Sequence, residues 1–257
     1  MDNNLIKKIT EKKEFSKLPT KDVLIAFENF NKEQYIDEEK VKLTRNLLRN
    51  AFSAFTSQKL LSLKDRNEEW FLKKHLSTRE RFLYYEDLYK KLLKNSKNNL
   101  TIIDLGAGVN GFSYKHFKKL GLNVKYVAIE SVGQLVDLTN KYFKENKING
   151  RSIHLSLFEL EKVKEIIKKQ KKPKIVFLFK VIDSLEVLER NYSKKLISEI
   201  VSLTDEIVIS FATRSMVKRK RFKVKRNWIV NFIKENFKIL NDFEIGDERY
   251  IIFKNNS

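Results

Sequence analysis

The chain has 257 residues, 42% hydrophobic and 33% charged, a balance that suits a folded protein with a real core and excludes a disordered one. It has no cysteine, which excludes disulfides, thiolate metal sites and a cysteine nucleophile, and its three histidines, His75, His116 and His154, are too scattered for a metal site. Lys and Arg number 53 against 33 acids, a formal +20, with +16 of it in residues 77–257; a single-sign field of this size points to a polyanionic partner such as nucleic acid.

No apolar stretch reaches the length of a bilayer span and the polar N-terminus is unlike a signal peptide. The expectation is a cytoplasmic protein with no membrane partner and no metal. Residues 1–76 read as an all-helical module. Pro19–Thr20 opens one amphipathic segment with Val23, Leu24, Ile25, Phe27 and Phe30. A second, residues 37–55, spaces Val41, Leu43, Leu47, Leu48, Phe52 and Phe55 near the helical period. The module serves either as a packing cap or as an RNA-docking extension, and the sequence leaves both open.

From residue 77 the pattern changes. Ser77, Thr78, Arg79 and Glu80 form a capping-box sequence that predicts a long helix to Asn95. A short apolar run at 100–105 then meets Asp104, Gly106, Ala107 and Gly108, which reads as strand, glycine turn and a helix over 112–120. Strands follow at 124–129, ended by Glu130, and at 152–155, 175–179 and 206–211. Helices are predicted at 132–147, 192–203 and 228–237, with another opened at Ser156 by a second capping box. Residues 239–245 and 249–253 read as a hairpin around Gly246–Asp247. Alternating strands and helices imply right-handed crossovers and a mostly parallel sheet, and the hairpin adds an antiparallel edge. The expected fold is therefore α/β, a Rossmann-like class I methyltransferase domain over 77–257 behind the helical module.

The glycines alone do not choose a ligand. Gly106, Gly108 and Gly111 satisfy the dinucleotide spacing, and Glu130 suits a ribose diol in a dinucleotide or a nucleoside alike. Asp104 weighs toward a cationic sulfonium ligand, because a carboxylate inside the turn would repel a pyrophosphate. The terminal hairpin points the same way.

Five segments, in order, carry a resemblance. Ser77–Thr78–Arg79–Glu80–Arg81 is similar to a Ser-Thr-Lys-Glu-Arg segment, and residues 104–110 to Asp-Ile/Phe-Ala/Gly-Cys-Gly-Leu/Phe-Asn. Phe179–Lys180 with Leu185–Glu186 is similar to Phe-Lys-Leu-Leu-Pro-Leu-Leu-Glu, residues 210–216 to Ser-Phe-Pro-Thr-Arg-Ser-Leu, and residues 245–250 to Ile-Gly-Asn/Thr-Glu-Leu-Tyr. This ordered set resembles the aminoglycoside-resistance 16S rRNA (guanine-N7) methyltransferases. The resemblance implies S-adenosyl-L-methionine as cofactor, 16S rRNA in the small ribosomal subunit as partner, and a monomer. By the same resemblance Arg81 pairs with the cofactor carboxylate, and Gly106, Ala107 and Gly108 approach its methionine part beside Asp104. Glu130, next to Ser131, takes the ribose hydroxyls. Ser156, Leu157 and Phe158 flank adenine, and Phe179–Lys180 lines the cofactor by main chain. The chain departs from the pattern at Gly111, Asp183 and Ala212, where prolines are expected, and at Leu157, where an acid is expected near adenine.

Residues 214–226 hold eight basic side chains and no acid: Arg214, Lys218, Arg219, Lys220, Arg221, Lys223, Lys225 and Arg226. This predicts phosphate contacts that hold RNA in register. No cysteine is available to activate a pyrimidine, and no Asn-Pro-Pro-Tyr run to handle an exocyclic amine. Guanine N7 needs neither, so no general base is assigned and catalysis is expected to be alignment. A non-catalytic RNA-binding or assembly factor on the same scaffold, and a methyltransferase of another RNA, stay open.

Overall fold

A computed structural model of the chain describes residues 3–53, 60, 66–94, 96, 98–214 and 226–256. At the N-terminus, α1 (Asn3–Thr10), α2 (Thr20–Glu28) and α3 (Asp37–Leu48) precede a π-helical turn at Arg49–Ser53. Pro19 starts α2 with a fixed φ of −56°, and the Glu39 carboxylate reaches back to the Ile36 N–H at the head of α3. Phe55, expected in the same helix as Val41, lies outside the described residues. α4 (Glu68–Lys74) is capped by Asn67, whose side chain accepts the Trp70 N–H at 2.9 Å.

The long helix expected from Ser77 is instead three pieces: α5 (Leu76–Arg81), a 3-10 turn at Phe82–Tyr84 and α6 (Tyr85–Leu92). Ser77 does not cap. It lies inside α5 and its hydroxyl accepts from Arg81 one turn on, while Glu80 reaches Lys180 rather than the helix start. The turn at 82–84 brings the Tyr84 ring over Gly246, where a Cβ would come within 2.7 Å of it.

The sheet follows: β1 (Asn99–Leu105), β2 (Asn123–Glu130), β3 (Gly150–His154), β4 (Lys174–Phe179), β5 (Glu206–Ala212), β6 (Lys238–Ile245) and β7 (Glu248–Lys254). Its order is β3-β2-β1-β4-β5-β7-β6, with the first five strands parallel and β7 antiparallel to both of its neighbours, β5 and β6. Ile102, Ile103, Val176, Phe177, Ile207 and Ile209 are wholly buried, as strands covered on both faces require. The chain reverses direction across the sheet between β1 and β4, and that switch point opens a crevice at the carboxyl ends of the strands. Helices α7 (Lys115–Lys119), α8 (Gly133–Glu145), α9 (Leu160–Lys168), α10 (Ile182–Leu188), α11 (Tyr192–Ile200) and α12 (Asn227–Asn236) connect the strands. α7 is shorter than expected because Asn110–Ser113 forms a 3-10 turn first. α10 was not expected, and it forms part of the crevice wall. The second capping box also fails. α9 begins at Leu160, and the Ser156 hydroxyl accepts the Phe158 N–H at 3.0 Å while donating to Asp22.

One continuous core joins the N-terminal helices to the sheet, with Leu5, Phe15, Val23 and Phe27 buried in the same cluster as Ile103 and Phe177. Polar contacts tie them at the start of α8: the Gly133 N–H donates to the Lys17 carbonyl at 3.1 Å and Gln134 Nε2 to the Lys13 carbonyl at 2.9 Å.

Candidate functional site

The glycine turn lies across the ends of β1 and β2. The N–H groups of Gly106 and Ala107 both donate to the Ile129 carbonyl, at 2.9 and 3.2 Å, which folds the turn back over its neighbour strand. Gly106 and Gly108 hold φ of +69° and +54°, open to glycine at no steric cost. A Cβ on Gly106 would meet Val181 at 2.5 Å, and one on Gly108 the His75 ring at 2.9 Å. Gly111 is different. It lies in the 3-10 turn and lets Phe143 of α8 pack close, so its match to the dinucleotide spacing reflects helix packing.

Glu130, at the last position of β2, is buried. Its Oε2 accepts the Gly108 N–H at 2.8 Å and its Oε1 the Val132 N–H at 2.7 Å. Burial raises its carboxyl above the usual range, and these two bonds pull back toward the charged form. Each oxygen keeps a lone pair, so the carboxylate is fixed in place and still able to accept.

A crevice opens above these groups, walled by the glycine turn, the ends of β2 and β4 and the N-terminal helices. Eight of the expected cofactor residues line it: Gly106, Gly108, Glu130, Ser131, Leu157, Phe158, Phe179 and Lys180. Lys180 directly follows β4 at φ +56°, an uncommon conformation for a residue with a Cβ, held by its N–H donating to Ser210. Its ammonium turns away from solvent into ion pairs with Glu80 and, at 3.1 Å, Glu248. Lys180 therefore offers the crevice its main chain. The Leu157–Phe158 loop is held by Tyr192, whose hydroxyl donates to the Leu157 carbonyl at 2.6 Å and whose ring packs on Phe158.

Four expected residues are not among the lining side chains. Ala107 belongs to the turn backbone and Ser156 is turned to Asp22. Asp104 is buried beneath the turn, where it accepts from the Tyr126 hydroxyl and, at 2.8 Å, from Asn110 Nδ2. Burial pushes its carboxyl up to about 6 against those bonds and the nearby Arg81. Its charge thus acts on the scaffold of the turn and does not face the crevice. Arg81 is likewise buried: Nε donates to both Glu248 oxygens at 3.0 and 3.2 Å, and the other guanidinium nitrogens to Asn110 Oδ1 and Ser77. Burial is the largest single influence and opposes its charge, but Glu248, Tyr85 and Tyr250 together raise the guanidinium further. The partner effect is reciprocal. Burial works to raise Glu248, and Arg81 with Lys180 holds it below the usual carboxylate range.

The crevice also holds residues that the sequence reading did not assign to the site: Asp22 from α2, Ala51 and Phe52 from the π turn, His75 before α5, and Ser184, Leu185 and Leu188 of α10. Burial, with Arg81 and Lys180 nearby, lowers His75 to about 3, so it is neutral at physiological pH. The signal for α10 was present in the spacing of Ile182, Leu185 and Leu188, a helical face that is buried in the structure. No local pattern marked Asp22.

Of the basic segment, only the two ends are described. Arg214 pairs with Asp247 at 3.2 Å across the end of the hairpin, and Arg226 grips both oxygens of Asp183 and donates to the Ala212 carbonyl. Lys218, Arg219, Lys220, Arg221, Lys223 and Lys225 lie outside the described residues. The segment leaves the sheet at the carboxyl end of β5, on the crevice side and two strands from β1.

A parallel sheet with its switch point at a glycine turn, a strand-end carboxylate and a terminal antiparallel hairpin define the Rossmann-like methyltransferase fold. Solved structures agree: the 16S rRNA methyltransferase RmtF in complex with S-adenosyl-L-homocysteine is 16% identical, with all of both chains covered and a TM-score of 0.80. An rRNA methylase from Escherichia coli is 17% identical, with 99% of each chain covered and a TM-score of 0.75. The chain belongs to the family described as ribosomal RNA methyltransferase (FmrO), whose model matches residues 42–231. A curated relative, the 16S rRNA (guanine(1405)-N(7))-methyltransferase of Proteus mirabilis, is 23% identical over 190 residues, which span 69% of this chain and 62% of the relative's length.

Proposed function

We propose that the protein methylates N7 of a guanine at the decoding site of 16S rRNA in the small ribosomal subunit, using S-adenosyl-L-methionine. The observation that carries this reading is Glu130, clamped by the N–H groups of Gly108 and Val132 with lone pairs to spare. A diol is the natural partner for such an acceptor. Gly106 and Gly108 line the crevice, and neither could carry a side chain without striking Val181 or His75. Phe179 and the main chain of Lys180 close one end, and Leu157 and Phe158 offer apolar faces to a base at the other. Arg81 acts from beneath, fixing Asn110 and Ser77, and we assign it a positioning role.

The bound cofactor supplies a methyl group on a sulfonium, a leaving group that needs no protonation. Guanine N7 attacks through its own lone pair, so the protein need not remove a proton from it. What remains for these residues is alignment and exclusion of water. The +20 charge and the basic segment after β5 support an RNA partner. The helical module of residues 1–76 contributes Asp22 of α2, Ala51 and Phe52 of the π turn and His75 to the crevice, and we read its outer face as an RNA-docking surface. The test is to incubate small subunits with methyl-labelled cofactor and map the product. Label at N7 of the guanine numbered 1405 in the relative's name is expected. Label on another RNA would overturn the target, and none on any RNA would overturn the enzyme. Raised aminoglycoside tolerance in an expressing host is the matching cellular readout.

A further inference from the structure

Beyond Glu130, toward β3, the crevice becomes apolar. Val132, Leu135, Leu157, Phe158, Leu185 and Leu188 line this end, a setting for a flat base. One charged side chain enters it from a distant part of the chain. Asp22 of α2 is wholly buried and lines the crevice. Its Oδ1 accepts the Ser156 hydroxyl, and its Oδ2 is buried with no hydrogen-bond partner.

That arrangement is costly by itself. A buried acceptor without a donor loses its hydration and receives nothing in return. The hydroxyls of Ser156 and Ser131, with His154, favour its charge, while Glu159 and Glu130 repel it. Gln134 also has a buried unpartnered oxygen, but it lies outside the crevice, with its amide nitrogen bound to Lys13. Asp22 is therefore the carboxylate of this apolar end, and it asks for an N–H donor from whatever lies there. Leu157, in the loop after β3, can supply no acceptor from its side chain. The acceptor comes from α2 instead, and Ser156 in that same loop holds it in place.

We propose that Asp22 selects the base: its Oδ2 accepts an N–H from the 6-amino group of an adenine and disfavours a 6-oxopurine, whose oxygen would face another acceptor. The assignment rests on the nucleoside cofactor of the preceding section. It makes the N-terminal helices part of the cofactor site, so that α2 must be docked for the base to be read.

Calorimetry on the full chain tests this with S-adenosylhomocysteine and its 6-oxo analogue S-inosylhomocysteine. The wild-type protein is expected to bind the adenosyl compound about 100-fold more tightly, the size of one buried mismatched acceptor pair. Asp22→Asn, whose amide can turn its NH2 toward a 6-oxo group, is expected to shrink the preference to within about threefold or reverse it. Equal affinity of the wild type for both compounds overturns the proposal without any variant. So does an Asp22→Asn protein that melts cooperatively yet keeps the full preference, or loses affinity for both equally. Failure of the wild type to bind S-adenosylhomocysteine at all is a different result, and it overturns the cofactor reading on which the proposal stands.

Discussion

The Glu130 carboxylate accepts the N–H of Gly108 at 2.8 Å, so a residue on β2 fixes the backbone of the turn that follows β1. The same side chain holds the Val132 N–H at the head of α8. Glu130→Gln keeps the shape but must present an NH2 to one of two N–H donors. The expected result is a loss of about 10- to 100-fold in S-adenosylhomocysteine affinity, the range of one or two charge-assisted hydrogen bonds. Calorimetry measures it. An unchanged affinity would remove Glu130 from the site.

Gly106→Ala tests the cradle. The new methyl would stand 2.5 Å from Val181 Cγ2 at a φ of +69°. Both strain and collision act, so a loss of about 2 kcal/mol or more in stability is expected, together with lost cofactor binding. The double variant Gly106→Ala/Val181→Ala separates the two effects. It removes the collision and leaves the backbone strain, so it recovers part of the stability in urea denaturation. No recovery would mean that the collision was never the cause.

Much of this site is written in local sequence. Gly106 and Gly108 had to follow β1, and Glu130 had to end β2, because the order of strands in a parallel sheet places those ends together. The runs around Ile103, Phe177 and Ile209 marked buried strands by themselves. What stayed hidden depends on partners far along the chain. Ser77 and Ser156 carry capping-box spacing, yet their hydroxyls serve Arg81 and Asp22. Asp104 was read as facing a ligand, and only the fold brings Tyr126 and Asn110 to cover it. Asp22 precedes Ser156 by 134 residues, so no window could have joined them.

Arg81 separates support from ligand contact. Removing it as Arg81→Met leaves Glu248 buried with Lys180 as its remaining cation, Ser210 as a donor, and Asn110 without its guanidinium donor. Breaking a buried pair from one side costs about 3–5 kcal/mol, and the unliganded protein is expected to lose about the lower figure. Arg81→Lys should recover little, because an ammonium cannot span Glu248, Asn110 and Ser77 together. Urea denaturation without ligand decides the matter. A variant as stable as the wild type, with only cofactor affinity reduced, would return Arg81 to direct pairing with the cofactor.

The basic segment predicts a salt signature. Replacing Lys218, Arg219, Lys220 and Arg221 by serine removes four cations from the segment that follows β5 in sequence. If each meets a phosphate, the slope of log affinity for small-subunit RNA against log salt should fall by about 3, and affinity should drop most at low salt. Cofactor binding should be unmoved. A wild-type slope in the variant would show that these side chains leave the RNA untouched.

Asp22 gives a prediction whose sign follows from its burial. In the unliganded protein its carboxyl is pushed up from 3.8 to about 6 by burial, with Glu159 adding to the rise and Ser156, Ser131 and His154 opposing it. Between those two values the folded chain holds the proton more tightly than the unfolded chain does. Wild-type stability from this group therefore falls as pH rises from about 4 to about 6, and above that the penalty is complete. Asp22→Asn carries no such charge. Relative to the wild type it should be little changed near pH 4 and more stable by up to about 3 kcal/mol at pH 7–8, with Asp104 and His75 common to both proteins and cancelling in the difference. Ligand affinity should move the opposite way, because an amino donor favours the ionised acceptor. Wild-type affinity for S-adenosylhomocysteine should weaken as pH falls through about 6, and that of Asp22→Asn should change less, with the raised Glu130 carboxyl common to both proteins. Urea denaturation and calorimetry at pH 5 and pH 8, values chosen to straddle that pKa, read both halves. A variant that is less stable than the wild type at the higher pH would mean that Asp22 serves the fold and not the ligand.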